Sequence, residues 1–118
     1  MKKILIVDDE PNIVMSLEYT FKKNNFEVFI ARDGLEALDI LKTNFPDVII
    51  LDVMMPMVDG FATLEQIRKD DNLQHTKVMF LSAKNKESDF EKGLALGADA
   101  YMTKPFSIKK VVEKVEEL

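Results

Sequence analysis

The sequence predicts an α/β domain: a doubly wound, five-stranded parallel sheet with helices on both faces. Short apolar runs rich in Ile and Val alternate with amphipathic stretches from one end to the other, and the alternation repeats five times. Within the runs there is little apolar–polar alternation, as strands covered on both faces require. At 118 residues, the whole of 1–118 fits one compact domain with a core large enough to stand alone.

The elements follow in order. "KILIVD" in the 2–8 region reads as the first strand, and "NIVMSLEYTFKKN" as a helix with Ile13, Leu17 and Phe21 on one face. Pro11 suits that helix's first turn, where its missing N–H goes unused. "EVFIA" (27–31) is the second strand. "DGLEALDILK" opens on Asp33 and Glu36, spaced as a capping box, and predicts a helix. "DVIILD" (47–52) is the third strand, apolar on both faces, and Asp59 and Gly60 introduce a helix through Phe61, Leu64 and Ile67. "KVMFLSA" (77–83) is the fourth strand. A helix carrying Phe90 and Leu94 follows and closes near Gly97. "AYMT" (100–103) is a short fifth strand. Ser107 caps a last helix with Ile108, Val111, Val112, Val115 and Leu118 on one face.

Composition narrows the function. The chain is 47% hydrophobic and 31% charged, without low-complexity stretches, as a folded globular domain requires. It has no cysteine, which excludes disulfides and thiolate metal sites and suits a reducing compartment. "MKKILIV" begins like a signal peptide but meets Asp8 too early for a secretory core, and no apolar run reaches transmembrane length. A cytoplasmic protein with no membrane attachment is the expectation. With 16 Lys+Arg against 21 Asp+Glu the net charge is −5, which argues against direct nucleic-acid binding by this domain.

In open parallel sheets ligands bind beyond the carboxyl ends of the strands. The residues there are Asp8 and Asp9, Arg32, Asp52, Ser82 and Lys104. With the first and third strands adjacent, Asp8, Asp9 and Asp52 share one crevice. Two like charges about 4 Å apart cost roughly 4 kcal/mol at an effective dielectric of ~20, so the three acids need a cation. Lys104 leaves a net of −2 among these four residues, which a hard divalent ion matches. Oxygen-only ligands favour Mg²⁺ over zinc or copper. Mg²⁺, a lysine and the Ser82 hydroxyl together equip a site for phosphoryl transfer. The glycines at 34, 60, 93 and 97 form neither a P-loop nor a dinucleotide fingerprint, so a carboxylate is a candidate to take the phosphoryl group itself as an acyl phosphate.

Over essentially its whole length the sequence resembles the response-regulator receiver domains of two-component signalling. The stretches that carry the resemblance are "ILIVDDEP", "DVIILDVMMPMVDG", "FLSAK" and "GADAYMTKPF", in that order and spacing. The resemblance implies a flavodoxin-like (βα)5 fold with strand order 2-1-3-4-5. It further implies that Asp52 accepts a phosphoryl group from a sensor histidine kinase or phosphotransfer protein. Asp9, Asp52 and the backbone carbonyl of Met54 then ligate Mg²⁺, with Asp8 acting mainly through water. Lys104 and Ser82 bind the phosphoryl oxygens, Tyr101 reports that contact to the surface, and the Lys104–Pro105 peptide bond is cis. The output face implied is the fourth helix, fifth strand and fifth helix, with Tyr101, Phe106 and 84–95 changing environment on activation. Met54 and Lys84 stand where similar proteins position the hydrolytic water. Met54 hydrogen-bonds water poorly, so self-dephosphorylation is expected to be slow.

Each residue also has a plainer reading. Asp8 or Asp9 would serve as a helix N-cap, Asp52 alone as a turn residue, Lys104 alone as a solvated lysine, and Ser82 alone as a strand-end hydroxyl satisfying backbone groups. Convergence on one sheet edge is what favours function. His75, the single histidine, reads as an exposed loop residue. Met54, Met55 and Met57 suit either loop packing or an adaptable surface. "VVEKVEEL" is a last amphipathic helix or a dimer face, so a monomer or a phosphorylation-linked homodimer is expected. A dehalogenase-type phosphatase would carry a second Asp two residues after its nucleophile, where Met54 stands. An adaptor without phosphorylation would not need the three acids and the lysine. The downstream effector is not specified. With no effector region after Leu118, a single-domain regulator or a receiver cut from a longer protein is expected.

Overall fold

Ile and Val runs form strands here because both side-chain directions find apolar cover. In a computed structural model describing residues 1–118, the strands are β1 (Lys3–Val7), β2 (Glu27–Ala31), β3 (Val48–Leu51), β4 (Lys77–Ser82) and β5 (Ala100–Thr103). The helices are α1 (Pro11–Lys23), α2 (Gly34–Ile40), α3 (Gly60–Lys69), α4 (Glu87–Ala95) and α5 (Ile108–Glu117), with a 3₁₀ turn at Asp71–Leu73. All strand pairs are parallel, in the order β2-β1-β3-β4-β5. The doubly wound fold and the 2-1-3-4-5 order expected from the sequence are both present.

Successive strand residues divide between two cores, as the period-2 pleat demands. Leu5, Val7, Ile49, Leu51, Val78 and Phe80 face a layer that includes Ala37, Phe61, Leu64 and Ile67 of α2 and α3. Ile4, Ile6, Val48, Ile50, Met79 and Leu81 face Leu17 and Phe21 of α1 and Val111 and Val115 of α5. A fully buried aliphatic or aromatic side chain contributes about 1.5–3 kcal/mol, so this double cover fixes the register firmly.

The strands end one residue earlier than expected at Asp8, Asp52 and Ala83, yet the sheet still positions the acids. Asp8 N–H donates to the Ala31 carbonyl at 3.1 Å, and Asp52 N–H to the Val7 carbonyl at 3.0 Å. The second helix is also shorter than its periodicity suggests and stops at Ile40.

Side chains start most of the helices. Asp33 Oδ1 accepts the Glu36 N–H at 2.9 Å, Asp59 Oδ1 the Ala62 N–H at 2.8 Å, and Ser107 Oγ the Lys110 N–H at 3.4 Å. The capping box at Asp33 is altered, because the Glu36 carboxylate accepts from Arg32 N–H at 3.1 Å. Neither Asp8 nor Asp9 caps α1. Its N-cap is Glu10, which makes no side-chain cap bond, and Pro11 lies in the first turn.

The rim away from the strand C-termini is tied by one guanidinium. Arg68 Nη1 donates to the Thr76 carbonyl at 2.8 Å, while Nε and Nη2 donate to the Gly97 carbonyl at 3.1 and 2.9 Å. Nη2 also meets Asp99 at 3.1 Å, and Asp99 accepts the N–H of Val78, the second residue of β4. Gly97 adopts φ 102°, which ends the turn after α4 in a conformation that L side chains rarely adopt.

Candidate functional site

The site is made by strand ends. β1 delivers Asp8, β3 delivers Asp52, β4 ends on Ser82 and β5 leads into Lys104. Gly60, the first residue of α3, lets that helix approach the acceptor strand. A Cβ there would lie 2.2 Å from the Asp52 carbonyl oxygen, against backbone that has nowhere to go.

Lys104 is the hub. Its Nζ lies 2.9 Å from Asp8 Oδ2, 2.9 Å from Glu10 Oε1 and 3.2 Å from Asp52 Oδ2. The Asp8 and Asp52 side chains are only 3% and 4% exposed and that of Lys104 10%, whereas Glu10 is 57% exposed. Burial pulls Lys104 toward its neutral form. The hydrogen bonds it donates to Glu10 and Asp8 and the charge of Asp52 more than offset it, holding the ammonium well above the ordinary lysine range. Burial pushes the Asp8 carboxyl above its usual range. The Glu10 N–H (2.9 Å) and Lys104 pull it back only in part.

Asp52 Oδ1 accepts the Met54 N–H at 3.3 Å, which folds the loop after β3 back over the acid. Within that loop Met55 is buried, while Met54 and Met57 are exposed and Met57 takes a left-handed φ of 70°. Asp9 sits apart from the acids on Lys104. It lines a neighbouring cleft of about 550 Å³ together with Met54, Asp59, Lys84 and Lys92. The carboxylates drawn together within 4.8 Å of one another are Asp8, Glu10 and Asp52. Lys104 already occupies the middle of that trio, whereas the cleft beside it, lined by Asp9 and the Met54 loop next to Asp52, offers the oxygen donors that a hard divalent cation such as Mg²⁺ takes. Glu10 is absent from the sequence-derived site. Its signal was the third acid of "DDE", but its partner lies 94 residues away in the chain.

Ser82 is fully buried, and its Oγ accepts the Lys84 N–H at 3.3 Å. Tyr101 Oη donates to the Lys84 carbonyl at 2.8 Å, so the β4–α4 loop is gripped from both sides. The Tyr101 ring packs on Phe80 and Phe90 at centroid distances of 5.5 and 4.8 Å. Burial, and then the Asp89 charge, push the phenol above its usual range, against the pull of the Ser82 hydroxyl. The Lys104–Pro105 bond is cis. His75 lies exposed between the 3₁₀ turn and β4, away from these groups.

A doubly wound sheet that gathers carboxylates, a lysine and a hydroxyl beyond its strand ends defines a class: an α/β domain that receives a charged group at its rim. The model of the response regulator receiver domain matches residues 4–116, and the chain belongs to that family. It is 44% identical over 117 residues to the alkaline phosphatase synthesis transcriptional regulatory protein PhoP of Bacillus subtilis (strain 168). That match covers 99% of this chain and 48% of PhoP, so the chain spans about half the length of that relative. Among solved structures, the receiver domain of the Francisella response regulator 1452 superposes with a TM-score of 0.91 at 38% identity, covering 99% of this chain and 95% of that one. The Vibrio cholerae chemotaxis protein CheY4 gives 0.94 at 31% identity, covering 99% and 98%.

The protein is thus a receiver domain of two-component signalling, a phosphorylation-dependent switch, and its aspartate cluster fits the phosphorylation site. Membership implies a histidine kinase or phosphotransfer partner and an acidic Mg²⁺ pocket. No helix is long and apolar enough to cross a membrane.

Proposed function

We propose that Asp52 is the phosphoacceptor and that the whole chain, 1–118, acts as one receiver domain. The observation that carries this reading is the contact of Lys104 Nζ with Asp52 Oδ2, 3.2 Å, at the rim where β1, β3 and β5 converge. An Asp52 oxygen attacks the phosphorus of a partner's phosphohistidine; the P–N bond breaks as the O–P bond forms, and the imidazole leaves with a proton. Lys104 stabilises the phosphoryl oxygens by charge, and Ser82, whose Oγ already accepts the Lys84 N–H, donates its hydroxyl proton to one of them. Mg²⁺, when bound, supplies further neutralisation of the phosphoryl oxygens. Asp9, Asp52 and the Met54 carbonyl would hold it, with Asp8 acting through water.

The added phosphoryl brings about −1.5 to −2 charge units and draws Ser82 and Lys104 toward it. Tyr101, hydrogen-bonded to the same loop as Ser82, carries the change to α4, β5 and α5. The only chemistry performed is the domain's own phosphorylation and hydrolysis, in the cytoplasm, as a monomer or a phosphorylation-linked homodimer. The effector is left open, without direct nucleic-acid contact by this domain.

Incubation with acetyl phosphate and Mg²⁺, followed by intact mass measurement, tests the reading. The expected result is the gain of one phosphoryl group, absent in Asp52→Asn. After donor removal the gain should decay over minutes or longer, because Met54 offers a hydrolytic water no good hydrogen bond. An equal gain in Asp52→Asn would defeat the assignment.

A further inference from the structure

The Lys104 ammonium has three protons and three carboxylates around it, Asp8 and Glu10 at 2.9 Å and Asp52 at 3.2 Å. A phosphoryl oxygen arriving at Asp52 needs one of those protons, so one partner must let go. Asp8 and Asp52 are nearly buried, and parting either from Lys104 would strand a desolvated charge. Glu10 differs on every count. Its side chain is 57% exposed, its carboxylate bonds no other protein group, and it lines an open groove with Ile13, Ala83, Pro105 and Phe106. It returns to water at little cost.

Resting on Asp52 as the acceptor, we infer that Glu10 is a positioning residue that holds the third Lys104 proton in the unphosphorylated domain and yields it to the phosphoryl group. The exchange breaks one ion pair and forms another, and the proton stays on Lys104. Glu10 thereby sets a threshold that every phosphodonor must overcome, and its charge at the groove opposes anionic donors. The alternative role, a fourth acid for the divalent cation, predicts the opposite consequence of removing it, since a lost ligand weakens cation binding.

Beryllofluoride is the probe. Wild type, Glu10→Gln and Glu10→Asp are titrated with it in saturating Mg²⁺ and followed by NMR of the Lys104 ammonium and the Tyr101 amide. Mg²⁺ alone is titrated separately. Glu10→Gln is expected to tighten beryllofluoride binding about two- to five-fold, the span of an exposed ion pair, with Mg²⁺ affinity undiminished. Glu10→Asp keeps the charge but is one methylene shorter, so it too should tighten binding. The Lys104 resonance of the unliganded Gln variant should already have left its wild-type position, which a merely structural role for Glu10 would not produce. Unchanged or weaker beryllofluoride binding by Glu10→Gln overturns the inference, as does weakened Mg²⁺ binding. Wild-type behaviour of Glu10→Asp also overturns it, showing charge rather than contact to be what matters. A wild-type protein that binds no beryllofluoride sinks the acceptor reading itself, and this inference with it.

Discussion

At the scale of single residues, the site trades stability for chemistry. Asp8 is buried beside Asp52, and burial dominates the forces on it, so its carboxyl titrates above the 3.8 of an unfolded chain. A folded state that binds a proton more tightly than the unfolded state is favoured in acid. Asp8's contribution is therefore fully present below pH 3.8 and is lost as the pH rises through its raised value. At neutral pH the ionised group is a net cost. Asp8→Asn keeps the oxygen that accepts the Glu10 N–H and leaves Lys104 two carboxylates. Urea unfolding with a chelator present should show the variant more stable at pH 7, on the order of 1 kcal/mol. That gain should shrink as the pH falls toward 3.8. A variant less stable than wild type at pH 7 would contradict this account. Asp8, Asp52, Ser82 and Lys104 were legible in the sequence because each lies at or just beyond the carboxyl end of a strand. Glu10 was not, because its role depends on a lysine brought close by β5.

Helices three and four look alike as sequence, yet they are anchored very differently. α3 buries Gly60, Phe61, Thr63, Leu64 and Ile67, while α4 buries only Gly93. The periodicity singled out Phe90 and Leu94 on α4, but Leu94 is 54% exposed and Phe90 packs mainly edge-on against Tyr101. That support comes from another strand, and no local period encodes it. α4 thus rests on an aromatic contact, on Lys92 over the Phe61 ring at 4.7 Å, and on the Tyr101–Lys84 hydrogen bond in the loop that leads to it. An element held this lightly opens at low cost. In native-state hydrogen exchange, amides of 87–95 should exchange roughly tenfold or more faster than those of 61–69. Equal protection would mean that α4 is held by more than these contacts. A helix so placed can shift when the loop before it is pulled, without disturbing either core.

Across the whole molecule, the two rims of the sheet have opposite characters. Alternating βα periodicity announced a parallel sheet, but no periodicity states which strand lies beside which. The 2-1-3-4-5 order was legible only through the resemblance, since strand neighbours depend on long-range contacts. That order puts β1 and β3 side by side and brings Asp8 against Asp52. It leaves β5 at an edge, where Tyr101 and Lys104 reach the site from a strand with one sheet neighbour. At the far rim, Arg68 ties α3 to Thr76, Gly97 and Asp99 and so clamps the beginnings of β4 and β5. A phosphoryl group pulling on Ser82 and Lys104 therefore acts on strands that are fixed at one end and free to respond at the other. A ligand shifts such an equilibrium by its differential affinity for the two states, and the response follows the softer path. Amide spectra recorded with and without beryllofluoride and Mg²⁺ should differ most at Tyr101, Phe106 and 84–95. Arg68, Thr76 and Asp99 should stay near their original positions, although Asp99 is two residues from Tyr101. Spectra that coincide over 84–95, or changes as large at Arg68 as at Tyr101, would show that the domain does not switch through this edge.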